Sequence, residues 1–245
     1  MRVLSFFAVA PLLAGLVIVP QALAEPYLGF YLTGVPSSEH DVEANRTFLT
    51  TGVTDRFTAK DAKFSSSLVY GGLVGYRFLP FLAVEADVYH LNPGLKAQTG
   101  TATSPTSGTF QVTTKSGDLD LTIIALQAIG SYGLLRNDKL PEGQLQLYGG
   151  AGLAIFLAKV DSQGSSANAT LNVRDRTTEL GLQVKVGGRW FFTQHVAAFL
   201  EGRFVHTQLN VQDTGVTNAG VPIRLKIESD INVPLVLLGA SVHFR

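Results

Sequence analysis

The chain has 245 residues, of which only 16% are charged, with 19 Lys+Arg against 19 Asp+Glu, 25 glycines and no cysteine. A neutral balance argues against charge-driven binding to nucleic acid, and the lack of cysteine excludes disulfides and thiolate metal centres. The length accommodates one or two domains.

The chain opens with MRVLSFFAVAPLLAGLVIVPQALA, which carries one charge, Arg2, then a long apolar run, then Ala22-Leu23-Ala24. That last triplet is the small-x-small pattern that signal peptidase cuts. Residues 1–24 are therefore expected to be a signal peptide, and residues 25–245 a single mature domain beginning at Glu25. Removing Arg2 leaves 18 of the 19 Lys+Arg against 19 Asp+Glu, a balance of −1. Beyond residue 24 no segment approaches about 18 continuous apolar residues, so any membrane crossing falls to strands.

Alternation with period two predicts the strands in order. Tyr27 to Gly34 places Leu28, Phe30 and Leu32 on one face and Gly29, Tyr31 and Thr33 on the other. Val35 to Ser65 is polar and charge-mixed, and reads as a long exposed loop. Ser66 to Phe78 and Leu82 to Leu91 form a hairpin around Pro80, with Gly71, Gly75, Arg77, Ala83, Glu85, Asp87 and Tyr89 sharing the inner face. Asn92 to Gly117 reads as a second loop, with Thr109 to Thr113 extending a strand. Asp118 to Gly133 is the fourth strand. Its apolar residues change parity, Leu119, Leu121 and Ile123 against Ile124, Leu126 and Ala128, which predicts a bulge near Ile123. After a turn at Leu134 to Gly143, Gln144 to Lys159 is the fifth strand, with Gln146, Tyr148, Gly150 and Gly152 inward. Val160 to Thr177 is a third loop.

The next hairpin, Glu179 to Gln208, has the longest clean alternation. Leu180, Leu182, Val184, Val186, Trp190 and Phe192 fall on one face of its first strand, and Ala198, Leu200, Gly202 and Phe204 on the same face of its second. Glu179, Gln183, Lys185, Arg189, Glu201, Arg203 and Thr207 take the other. Runs of about 10 residues are the reach a tilted strand needs to cross a bilayer. Asn210 to Pro222 is a fourth loop and Ile231 to Arg245 the eighth strand. The fold class is thus all-β: a transmembrane up-and-down antiparallel barrel of eight strands, closed so that no backbone edge meets lipid. The short turns define the periplasmic side, where Phe78, Phe81, Trp190 and Phe192 form an aromatic girdle.

The hairpins GYRFLPFLAVEA and GGRWFFTQHVAAFLEGRF, the glycine-rich YGGAGLA and the closing LLGASVHFR resemble the eight-stranded outer-membrane β-barrel family, similar to the OmpA transmembrane domain and the opacity-type surface proteins. The resemblance implies a Gram-negative outer membrane location, contact with outer-membrane lipids, a monomer, and recognition of the last strand by the barrel-assembly machinery through an aromatic residue. Here that residue is Phe244, followed by Arg245.

Candidate chemistry is sparse. Gly149-Gly150-Ala151-Gly152 continues a strand and opens no helix, so it makes room inside the barrel rather than binding phosphate. Asp118 and Asp120 fall short of the six to eight oxygens calcium requires. His206 and Ser241 invite comparison with lipid A-modifying outer-membrane enzymes, but no activated nucleophile is evident. No catalytic, metal or cofactor site is assigned. What remains is the inward set Arg77, Glu85, Asp87, Glu179, Lys185, Arg189, Glu201 and Arg203. In a narrow lumen these charges must pair. The expected function is a barrel with a packed polar interior that displays long extracellular loops for envelope integrity or surface interaction, its ligand unknown. A narrow porin-like channel and a lipid A-modifying enzyme are the alternatives. N-terminal sequencing of the membrane-extracted protein is expected to begin at Glu25; a chain that retains Met1 overturns that reading.

Overall fold

The computed structural model describes residues 25–104, 108–115, 117–166, 169–217 and 220–244, so residues 1–24, the expected signal peptide, and Arg245 lie outside the described residues. Among the described residues there are thirteen strands: β1 Glu25–Val35, β2 Ser38–Phe48, β3 Thr54–Phe64, β4 Ser67–Leu79, β5 Leu82–Leu91, β6 Gly94–Leu95, β7 Gln98–Ser104, β8 Gly108–Thr114, β9 Gly117–Leu134, β10 Leu145–Ser166, β11 Ala169–Phe191, β12 Val196–Thr217 and β13 Pro222–His243. Among the described residues no helix is long and apolar enough to cross a membrane.

Eight of the strands close a barrel. Antiparallel pairing runs β1–β4–β5–β9–β10–β11–β12–β13 and returns from β13 to β1. The outward side chains alternate as the sequence pattern requires. Phe30, Leu126, Leu153, Leu182, Leu200 and Leu238 are exposed on the wall, as greasy side chains facing lipid must be. The upper edge of this belt is marked by outward polar residues, among them His90, Lys159, Arg176, Gln208 and Asp230.

The four segments expected to be loops are instead largely strand. β10 to β13 continue past the belt, and β2, β3, β7 and β8 join them: β13 pairs with β2, β2 with β3, β3 with β7, β7 with β8, and β8 with β10. A second ring of strands thus stands on the first. Its strands are held by backbone pairing, with the β11–β12 ladder open between Thr170 and Gly181, but no face of it has to meet lipid, so the apolar half of the alternation vanishes where lipid ends and the sequence pattern reads as loop. The bulge expected near Ile123 is also absent: β9 pairs with β10 without a register shift. Leu119, Leu121 and Ile123 point inward and are buried, while Ile124 and Leu126 point to lipid. Both parities are apolar because the upper lumen itself is.

Glycine sets how large rings fit inside. A Cβ at Gly75 would lie 2.0 Å from the Tyr27 ring, at Gly239 2.3 Å from Phe199, and at Gly187 2.8 Å from Tyr148. Each ring lies flat against a stretch of wall that has no side chain. Gly75→Ala is therefore expected to cost about 1 to 3 kcal/mol through overpacking. Gly72→Ala, on the lipid side with its nearest neighbour at 3.4 Å, is expected to stay within about 0.5 kcal/mol. Heat-modifiability on gels measures both, and equal melting of the two variants contradicts the packing argument.

Candidate functional site

The lumen is built in three layers. The floor comes from the turn between β9 and β10, which folds beneath the barrel. Gly143, with φ 105°, allows the reversal. Leu140 is buried against Phe191 and Ala197, and Gln194 Nε2 donates to the Lys139 carbonyl at 2.8 Å. Phe191, adjacent to the girdle residues in sequence, thus points inward while Trp190 and Phe192 stay on the wall. Above Leu140, Arg77 pairs with Glu25 at 3.3 Å and with Glu142, and donates to Gln146 Oε1 at 2.8 Å. Glu25 also holds His243 Nδ1 at 2.5 Å, and His243 Nε2 lies 3.0 Å from Ser241 Oγ.

The middle layer carries three cations, Lys185, Arg189 and Arg203, and three anions, Glu85, Asp87 and Glu201, all almost fully buried. The register sets Gly187 opposite Glu201 and Gly75 opposite Glu85, so each carboxylate starts beside a wall position without a side chain. Glu201 accepts from Arg203 Nε at 2.9 Å and Nη2 at 2.6 Å and from the Tyr148 hydroxyl at 3.0 Å, and lies 3.4 Å from Lys185 Nζ. Lys185 also pairs with Glu85, which accepts from the Tyr27 hydroxyl at 2.9 Å. Arg203 reaches Asp87 at 2.7 Å and donates to the Tyr31 hydroxyl at 3.0 Å; Tyr31 in turn donates to Asp87. Arg189 is held differently. Its nearest carboxylate is Glu85 at 4.0 Å, and its guanidinium lies over Tyr27 at 4.8 Å and Tyr148 at 5.1 Å.

Glu179 does not join this set. It is half-buried at the top of β11, where its carboxylate accepts from Thr177 Oγ1 at 3.0 Å and from the Asn210 backbone N–H at 3.2 Å. There the β11–β12 ladder is interrupted between Thr170 and Gly181. Its inward parity is as expected, but its partner is the β12 backbone at the break in the β11–β12 ladder. Conversely, Glu25, Glu142, His243 and the four buried tyrosines were not assigned to the charge set from sequence, although alternation already turned Tyr31, Tyr89 and Tyr148 inward. Glu142 gave no signal, because turn residues have no period.

The third layer seals the top. Val69, Leu91, Leu119, Leu121, Ile123, Phe156, Val205 and Leu235 are buried together above the charges.

Residues 8–244 match the family described as the outer membrane protein beta-barrel domain. The chain belongs to that family. It is an outer-membrane β-barrel of a Gram-negative cell. Among solved structures it is similar to the outer membrane protein OprG from Pseudomonas aeruginosa, at 13% identity over 91% of this chain and 97% of that one, with a TM-score of 0.54. It is also similar to Neisserial surface protein A, at 17% identity over 89% and 97% with a TM-score of 0.43, and to the N-terminal β-barrel domain of Pseudomonas aeruginosa OprF, at 13% over 90% and 97% with a TM-score of 0.38. The likeness is one of fold. No curated protein matches the sequence.

In this barrel the remaining candidates sit apart. His206 lies on the outer side, its Nδ1 2.8 Å from Asn232 Oδ1, remote from Ser241 in the lumen floor. Ser241, His243 and Glu25 do stand in the order nucleophile, base, carboxylate. Yet Ser241 is 1% exposed and His243 0%, and the imidazole is flanked by Tyr27 at 4.9 Å and Phe191 at 4.8 Å. No acyl group reaches Ser241 Oγ in this geometry. The three side chains act as a clasp between the first and last strands. Asp120 pairs with His90 at 3.1 Å, and among the described residues no group of three or more His, Asp or Glu side chains is arranged to hold a metal. Phe78 is half-buried, Phe81 is exposed beside the β4–β5 turn, and Phe244 is exposed, with its backbone N–H donating to the Pro26 carbonyl at 2.9 Å.

Glu201→Gln removes the carboxylate that Arg203, Lys185 and Tyr148 share, and is expected to cost on the order of 3 kcal/mol, the usual scale for orphaning a buried charge. Glu179→Gln is expected to cost under about 1 kcal/mol, because the amide oxygen still accepts from Asn210. Thermal unfolding in detergent compares them, and an equal loss contradicts the separation of Glu179 from the buried set.

Proposed function

We propose that this protein is a non-conducting outer-membrane anchor that carries an extracellular β-superstructure for envelope integrity or surface interaction, and that it is not an enzyme. The observation that carries the reading is the sealing of the charged layer on both sides, by Leu140, Phe191 and Ala197 below and by the apolar layer around Leu121, Ile123 and Phe156 above. Ions crossing a pore need a continuous polar path, and a dry constriction of this depth stops them. The partners that fit are the surrounding lipids, the barrel-assembly machinery acting through β13 and Phe244, and a surface ligand bound by the strands above the membrane, with the barrel as a monomer.

A narrow ion path is the second reading. It is favoured by Gln127, whose buried amide has no hydrogen-bond partner among the described residues and which stands opposite Glu85. Planar-bilayer recording of the refolded protein separates the two. The expected result is no unitary conductance for the native protein, and none for Glu201→Gln despite its lower melting temperature. Discrete conductance whose selectivity moves towards anions in Glu201→Gln establishes the path instead.

A further inference from the structure

On the lipid side of the wall, Lys159 of β10 stands directly opposite Arg176 of β11. Both side chains are exposed. One row below, Leu157 faces Thr178, and below that Ile155 faces Leu180, the last aliphatic pair of the belt. The two cations therefore lie at the level of the outer-leaflet headgroups, given that the extended end of the barrel faces outwards.

Like charges directly opposite across an antiparallel pair repel. His90 pairs with Asp120 at 3.1 Å and also contacts Thr122, and His206 bonds Asn232. Asp120 is the neighbour of Lys159 on its other side but is engaged by His90. Asp161, in the row above, has a partner of its own and stands opposite Arg174 in the ladder. Neither the Lys159 ammonium nor the Arg176 guanidinium has an ion-pair partner among the described residues. Two cations side by side on the outer wall, just above the last lipid-facing row, with Asp120 engaged by His90 and no carboxylate of the described residues in ion-pair contact with either, leave room for an anion supplied by the membrane itself.

We propose that Lys159 and Arg176 form a binding site for a phosphate group of a phosphorylated, multi-acylated glycolipid of the outer leaflet. The acyl chains lie along Leu157, Ile155, Leu180 and Leu182, which continue the same two strands downward. Arg176 engages the phosphate through its planar fork and Lys159 as a point charge from the neighbouring strand. The Thr178 hydroxyl, one row below, is placed to donate to a headgroup oxygen. Such a lipid would screen the repulsion between the two strands and bind the barrel laterally to the leaflet.

The test uses the full protein in detergent, with a chelator present, titrated with a bisphosphorylated lipid A-type glycolipid, with its dephosphorylated counterpart, and with inorganic phosphate, and read by native mass spectrometry. The phosphorylated glycolipid is expected to bind at least about tenfold more tightly than the dephosphorylated one. Each of Lys159→Glu and Arg176→Glu is expected to reduce that preference by about fivefold or more, fivefold being the equivalent of ~1 kcal/mol per cation at a membrane surface. Lys159→Arg is expected to retain it. Gel mobility shift on heating verifies that every variant is folded, and Lys159→Gln, which adds no negative charge, stands in for any that is not. Equal binding of the two glycolipids, or a preference that survives in Lys159→Glu/Arg176→Glu, overturns the proposal. Binding of inorganic phosphate as tight as that of the glycolipid overturns the lipid as its source.

Discussion

A narrow lumen tolerates a charge only when another inward side chain supplies its opposite, and this constraint orders the rest of the barrel. Six charges of the middle layer come from β5, β11 and β12, and neither hairpin is neutral by itself: β11 and β12 bring Lys185, Arg189 and Arg203 against Glu201 alone, and β5 brings Glu85 and Asp87. Arg203 illustrates the consequence. It bonds Glu201 on its own strand, Asp87 from β5 and Tyr31 from β1. Four strand pairings, β12–β13, β13–β1, β1–β4 and β4–β5, have to be in register before those partners meet. The ion pairs need not add net stability over an apolar filling. They make every other register expensive, because a one-residue slip would turn each of these charges into lipid.

The tyrosines extend this logic. A lumen packed only with salt bridges would leave carboxylate lone pairs unmatched, and the hydroxyls of Tyr27 and Tyr148 supply the missing donors to Glu85 and Glu201. Their rings then serve as the second face for Arg189, whose nearest carboxylate among the described residues is Glu85 at 4.0 Å. Room for those rings comes from glycines on the adjoining strands, so the glycine content of the wall and the aromatic content of the lumen are two sides of one packing solution.

How much of this was legible in the sequence depended on the contrast between the two media. Where one face of a strand meets lipid and the other a polar lumen, alternation is unambiguous, and Lys185, Arg189, Glu201 and Arg203 were placed on the correct side with Glu201 opposite Gly187. Where lumen and lipid are both apolar, as along Leu119 to Leu126, the two parities look alike and suggested a bulge that is absent. Above the lipid belt, as in β2, β3, β7 and β8, strand and loop have similar composition, and only the pairing between segments tells them apart. The floor was hidden for another reason. Leu140 and Glu142 lie in a turn, and nothing periodic marks a turn that folds back under the barrel.

Closure raises a different demand, since β1 and β13 come from opposite ends of the domain and share a ladder of only the pairs from Tyr27–His243 to Leu32–Leu238. Backbone pairing is thinner here than between β1 and β4, which runs from Glu25–Arg77 to Val35–Ser67. Side chains reinforce the seam at its foot. Glu25 is held at once by His243 of β13 and Arg77 of β4, and Ser241 steadies the far side of the imidazole. At its upper end Thr33 donates through its hydroxyl to the Val236 carbonyl, satisfying an acceptor beyond the last paired residues. Arg77 also takes Glu142 from the floor turn. The residues that close the barrel are therefore the ones that hold its floor in place, and closing the seam and sealing the lumen become a single event.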